Sequence, residues 1–333
     1  ADNEFQRTYA EFINTEAVAP DKAPEIKRKI AKIKELKLAH QSFNIDTVYH
    51  NISVVFAESQ LEYKEVLKLC KDWEAVLKDK SHLSFAALEA VNAYRMMVAY
   101  MHLQKFEEGE NLAVRSEGLI PPGTPNWFSF HEYYFTLTMH SGNYKKAQDI
   151  HWQVCKSEHF RSQRPVVQEK WNIFKAYLIY ALKNMVDDEI EIHSEYRITG
   201  GKFRLRKFLN EVPTFESDKR GMNVAILVIH FLFLIEKKNY VEIIDREEAF
   251  QRYMYRWLSK QSMFYRSNIF IKMLLAVSGK DFRYDLVLKA TSKNQKILEA
   301  DGKPYFEAAG ALEIIPYEKL WDSVLSKLKQ KKN

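Results

Sequence analysis

Apolar residues recur along this chain at helical spacing, and short polar turns interrupt them at regular distances. The clearest unit runs from Trp127 to Phe160. WFSFHEYYFTLTMH reads as one amphipathic helix, Ser141-Gly142-Asn143 as a tight turn, and the stretch from Tyr144 as a second helix. A helix pair of this size cannot bury both apolar faces alone, so it calls for neighbours of the same kind. The same grammar returns elsewhere: a helix, a short polar turn, an aromatic, a second helix. Those turns are Gln60-Leu61-Glu62-Tyr63, Leu103-Gln104-Lys105-Phe106 and Lys237-Lys238-Asn239-Tyr240, with a weaker version at Gly279-Lys280-Asp281-Phe282. The interval from Tyr63 to Phe106 is 43 residues, from Phe106 to Tyr144 38, and from Tyr240 to Phe282 42. The 96 residues between Tyr144 and Tyr240 leave room for another pair, with its first helix expected over Val166 to Asn184. A period in this range marks stacked helical hairpins.

The flanks and the gap read differently. A first helix is expected over Glu4 to Glu16, ending before Pro20, and Asp21 is the candidate N-cap of the next, with Pro24 in its first turn. That second helix carries an apolar stripe of Ile26, Ile30, Ile33 and Leu36, with Lys27, Arg28, Lys29, Lys32 and Lys34 as a solvated basic face. Val224 to Ile235 is apolar except for His230 and falls short of the ~20 residues of a membrane helix, so it reads as a buried helix. Asp187 to Glu216 breaks the rhythm with an acidic patch, the Gly200-Gly201 pair and a basic segment, and reads as a kinked connection. Tyr317 to Lys329 puts Leu320, Trp321, Val324 and Leu328 on one face, and a polar-backed helix in this place is expected to cap the open end of the stack. The expected plan is therefore N-terminal helices over 1–41, repeats over 42–186, a connection over 187–216, further repeats over 217–300, and a capping helix with a basic tail over 301–333.

Gly142, Tyr144 and Ala147 stand as the G-x-Y-x-x-A turn of the tetratricopeptide repeat, and the chain resembles that family here. Phe106 and Gly109 fit its aromatic and small positions, and Pro121 falls where the family's repeat-ending proline would. The intervals exceed the usual ~34 residues, and the first helices lack the W-x-x-L-G pattern, so the repeats read as degenerate and elongated over residues 42 to 300. The resemblance implies an all-α fold, a right-handed superhelix of stacked hairpins, with a concave face lined by first helices. The string from Arg204 to Asn223, with Glu313 to Trp321, is similar to bacterial repeat proteins of unassigned activity. Peptide-sensing bacterial regulators with similar repeats are one version, but no DNA-binding helix-turn-helix is visible. The family's carboxylate clamp is not matched, because Tyr94 and Val98 stand where its Lys and Asn would be.

Composition agrees with long helices. Gly (10) and Pro (9) are scarce, Phe (21) and Tyr (18) are abundant, and 28% charged with 46% hydrophobic residues excludes a disordered chain. Net charge is +6, a small excess for an obligate nucleic-acid binder. Cys70 and Cys155 form no metal motif or disulfide framework, which fits a reducing compartment, and a cytoplasmic location is expected. Ala1 to Phe5 shows no signal-peptide character, and the absence of an initiator Met reads as trimming.

Catalysis has no visible candidate. Thr199-Gly200-Gly201-Lys202 lacks P-loop spacing, and after His131-Glu132 a Phe135 stands where a zinc helix needs its second His. His230 reads as a hydrogen-bonded core residue. No cofactor, metal or enzymatic activity is expected. A peptide-binding groove is, because Asn51, Tyr94 and Glu132 each lie twelve residues before a turn aromatic, and Asn172 holds a comparable place on the next first helix. Asn amides donate to and accept from an extended backbone, and Tyr adds a rigid ring with a polar tip. The expected partner is a protein or peptide. The rival is RNA or DNA bound through Arg204, Arg206, Lys207 and Arg266, the last within an aromatic and basic run that reads better as a helix seam with arginines lying over its rings.

Overall fold

The computed structural model describes residues 23–40, 42–80, 82, 86–186, 192–193, 196, 222–253, 265–300 and 313–329. Among the described residues there are 13 α-helices and no strand. They are α1 (Ala23–Ala39), α2 (Phe43–Ser59), α3 (Tyr63–Asp79), α4 (Ala86–His102), α5 (Phe106–Ser116), α6 (Pro125–Ser141), α7 (Tyr144–Lys156), α8 (Pro165–Asn184), α9 (Met222–Glu236), α10 (Tyr240–Tyr253), α11 (Tyr265–Ser278), α12 (Tyr284–Glu299) and α13 (Tyr317–Lys329). The expected helix over Glu4 to Glu16, the Asp21 cap, the Gly200-Gly201 turn and the basic tail lie outside the described residues.

The turns close by one device. Leu61, Gln104 and Lys238 sit in the left-handed region at φ 59°, 57° and 53°. The next residue's N–H then bonds back to the preceding helix: Glu62 to the Ala57 carbonyl, Lys105 to Tyr100 and Asn239 to Leu234, at 2.8–3.0 Å. This arrangement satisfies carbonyls that a helix end otherwise leaves open. Gly142 takes the same left-handed position at φ 89°, and the Asn143 side chain accepts from the Lys146 N–H to start α7. The aromatic opens the second helix in all four.

The fifth turn corrects the expected register. Asp281 is the left-handed residue, Phe282 also has positive φ and bonds back to Val277, and the helix opens at Tyr284. Tyr284 is thus the counterpart of Tyr63, Phe106, Tyr144 and Tyr240. Three residues after these five aromatics stand Val66, Gly109, Ala147, Ile243 and Val287, all buried. Gly109 is needed for closeness, since a Cβ there would lie 3.1 Å from both Leu137 methyls and 3.3 Å from Tyr100 Cβ.

The chain forms two compact units, Ala1–Leu137 and Thr138–Asn333, with the division inside α6. In the first, α1 packs on α2, α2 on α3, α3 on α4, and α4 on α5. Ile26 of α1 meets Phe56 of α2, flanked by Ala23 and Ile30. Ile33 is buried as expected, but Leu36 is exposed, so the stripe ends a turn early. In the second unit α7 packs on α8, α8 on α9, α10 on α11 and α11 on α12. The first helices also touch one another, α8 against α9 and α9 against α11. Consecutive hairpins are therefore laid side by side within each unit. Every residue of α9 from Met222 to Ile235 except Leu227 is buried, as an unbroken apolar run requires.

Helix α13 packs on α9, α11 and α12, and Trp321, Leu320 and Val324 have no exposed surface. Its apolar face finds several helices at once, and it lies against first helices of the second unit.

Candidate functional site

In the first unit, α2, α4 and α6 are the first helices of three successive hairpins, and each contributes one of the expected groove residues. Asn51 on α2 is half-buried, and its Oδ1 accepts a hydrogen bond of 3.1 Å from Arg95 Nη1 on α4. Next to Arg95, Tyr94 is half-buried and lies flat on Tyr133 of α6, ring centroids 5.6 Å apart and planes 2° from parallel. Glu132 adjoins Tyr133 and is also half-buried. The three residues thus belong to one ladder across three helices, Asn51 to Arg95 and Tyr94 to Tyr133. Arg95 and Tyr133 were not anticipated. They are neighbours of the expected residues and could have been found by taking two adjacent positions per helix, since a first-helix face is wider than one side chain.

Electrostatics extend the ladder. Glu58, two turns along α2 from Asn51, has a carboxyl raised by burial, with Arg95 opposing. His50 is stacked on Trp73 at 4.9 Å and is lowered to about 3 by burial, then by Arg95 and Lys37. Beneath, Asp46 pairs with Lys80 at 2.8 Å and Lys37 at 3.4 Å, tying α1, α2 and the end of α3. The face is amphipathic, near neutral, and built on rigid helices.

Asn172 lies on α8 in the second unit, exposed, and shares no hydrogen bond with the others. There the first-helix face differs. Ten residues before the left-handed turn residue, where the first unit has Asn51, Tyr94 and Glu132, stand Val228 on α9 and Ile271 on α11, both fully buried. The segment from Glu313 through α13 packs against these two helices. Lys319 Nζ donates to the His140 carbonyl at the end of α6 (2.9 Å), and His140 Nε2 bonds to the Glu313 carbonyl. Tyr180 of α8 pairs with Ser323 at 2.9 Å. Tyr317 stacks on Phe270 of α11 at 4.5 Å and shares a 2.8 Å hydrogen bond with Ser267.

Arg266 corrects the expected basic surface. It is 5% exposed, and its guanidinium forks onto Glu313 (2.8 and 2.8 Å) and Glu318 (2.7 and 2.8 Å) while bonding to the Leu298 carbonyl. Burial works against its charge, yet the two carboxylates hold the guanidinium above its usual value. Nothing of it is left for a phosphate. Of the rest of that run, Tyr265 and Lys272 are exposed, and Arg204, Arg206 and Lys207 lie outside the described residues.

Other described histidines and cysteines sit in the packing of the helices. His131 is buried, its Nδ1–H donating to the Trp127 carbonyl (2.8 Å) with Glu117 at 3.4 Å from Nε2. His230 is core but its Nε2 makes no hydrogen bond, with Glu242 at 3.6 Å, and burial lowers it to about 4. Cys155 approaches His151 at 3.6 Å, but that Nε2 is committed to the Trp171 carbonyl (3.0 Å) and Nδ1 to Tyr196 (2.8 Å), so no base is available to the thiol. Burial pushes the Cys70 thiol up to about 12. No group of three or more metal-ligating side chains occurs among the described residues, and no described helix is long and apolar enough to cross a membrane. A shallow cleft of about 470 Å³ beside α3, lined by Lys64, Lys68, Lys71, Asp72 and Lys105, holds exposed lysines, of which Lys68 pairs with Glu65 and Lys105 with Glu108. Comparison of the chain with protein-family models, with curated proteins and with solved structures finds no match to it.

Proposed function

We propose that this protein is a non-enzymatic scaffold that holds a peptide or protein segment on the first-helix face of its first unit. In this reading its hairpins are elongated tetratricopeptide-like repeats that wind as right-handed superhelical arrays, and the protein works in the cytoplasm. The observation that carries it is the ladder of half-exposed Asn51, Tyr94, Tyr133 and Glu132 around Arg95, on three successive first helices. The four side chains are only half-buried, and stacked tyrosines offer a rigid aromatic surface to an extended backbone at small entropic cost. Recognition is by shape and neutral hydrogen bonds. A nucleic-acid partner has no support from Arg266, which is consumed by two carboxylates.

The test is selection of peptides from a displayed library on the whole chain. Selected peptides should lose at least about tenfold in affinity to Tyr94→Ala with Tyr133→Ala, as aromatic anchors do. They should be indifferent to Asn172→Ala and to a rise in salt that would weaken phosphate binding by orders of magnitude. Ligands untouched by the tyrosine pair would refute the assignment.

A further inference from the structure

The first-helix face of the second unit is not empty, and the manner of its filling is that of recognition. Most packing within the unit is between sequence neighbours, and α13 follows this with α12, but Glu313–Lys329 also reaches back to α6, α8, α9 and α11. Its polar partners stand 173 residues away at His140, 143 at Tyr180 and 47 at Arg266. We propose that this face is a helix-binding groove, that Glu313–Lys329 is its resident ligand, and that the same segment from a second copy of this chain can replace it.

Two features support this beyond burial alone. First, the anchors are specific and charged. Arg266 grips Glu313 and Glu318 by four bonds of 2.7–2.8 Å, and Glu313 also accepts from the Tyr317 N–H at 2.9 Å, so one guanidinium fixes where the helix starts. An apolar seam would hold as firmly without this, so the buried ion pairs set register rather than strength. Second, the seat is imperfect. The indole N–H of Trp321 is fully buried with no hydrogen-bond partner, which opposes permanence. The occupant is a second copy because the groove is complementary to this sequence: glutamates on Arg266, an aromatic on Phe270, a lysine on the helix-end carbonyl of His140.

Hydrogen exchange on the intact wild-type chain reads release directly. Amides of α13 should exchange through a partial opening that leaves α9 closed, and so sooner than those of α9. A fluorescent peptide of residues 303–333 added to the intact chain should then bind saturably, compete with its unlabelled form, and weaken at least about tenfold with Glu313→Gln and Glu318→Gln together. The idea fails if α13 and α9 exchange only together, in global unfolding. It fails equally if the peptide does not bind, or if the doubly substituted peptide binds as well as the native one.

Discussion

The two units build their hairpins alike and treat the inner face of those hairpins in opposite ways. In the first, equivalent positions carry Asn51, Tyr94 and Glu132, half-exposed, with Asn51 bonded to Arg95 and Tyr94 stacked on Tyr133. In the second they carry Val228 and Ile271, sealed from solvent where Glu313–Lys329 lies. One architecture therefore supports both an available surface and a filled one, and the residue at a single position per first helix separates them. An arginine marks each face. Arg266 is enclosed between two carboxylates, while Arg95 bonds to an amide beside solvent-accessible tyrosines.

Removing each arginine should separate the faces most sharply. Arg266→Met strands Glu313 in the interior, which costs about 3–5 kcal/mol because an uncompensated buried charge is left behind. Arg95→Met leaves Asn51 and Glu58 able to reach water and should cost about 1 kcal/mol. Urea unfolding of both variants measures this. Equal losses would mean that the first face is as closed as the second.

Acid should weaken the filled face more than the open one. His140 is lowered to about 3 by burial, then by Lys319 and Arg266 against the bond to Glu313, and His230 to about 4. In the first unit His50 is lowered to about 3. A depressed histidine is neutral when folded, so stability is complete above the unfolded value near 6.5. It is lost as pH falls from there towards the folded value, because only the unfolded chain takes up the proton. At pH 5 the loss is about 2 kcal/mol for a fully buried ring such as His140. Urea melts at pH 7 and pH 5, with hydrogen exchange assigning the loss, should show α13 losing protection before α2. Loss confined to the first unit would contradict the contrast.

Periodicity revealed the hairpins because it is local. The aromatic-opened second helices, the apolar α9 and the bounds of α13 all follow from residues within a few turns of one another. What α13 packs against did not follow. An amphipathic pattern says that one face is buried, not by what, and the partners of Glu313 and Ser323 lie far along the chain. The partners of Arg266 were hidden for the same reason: the aromatic and basic run around it reads as a helix seam, but its carboxylates, Glu313 and Glu318, stand 47 and 52 residues on. Phe282 misled by one residue's worth of turn, since the next aromatic, Tyr284, stood two places on. The shared face of Asn51, Tyr94 and Glu132 was legible once the turn was fixed, because a register counted back from it lands on the same face of every first helix.

The smallest effects test whether the contrast lies in the faces alone. Leu61, Gln104 and Lys238 hold left-handed backbone at φ between 53° and 59° without being glycine, at a cost of about 1 kcal/mol each. Replacing any of them by Gly should stabilise its hairpin by a few tenths to about 1 kcal/mol, the relief of strain exceeding the added freedom of the unfolded chain. Gly142→Ala should lose about 1 kcal/mol, and through the backbone only, because its Cβ would meet nothing nearer than the Lys319 amine at 3.4 Å, an ordinary contact. These changes should be the same size at Gln104 in the first unit and Lys238 in the second, as thermal melts of the two single variants would report. If they match while the arginine pair does not, the hairpins are interchangeable parts, and the units differ by what covers them. If the turn effects differ by unit as much as the arginines do, the difference is spread through the whole stack, and no single face accounts for it.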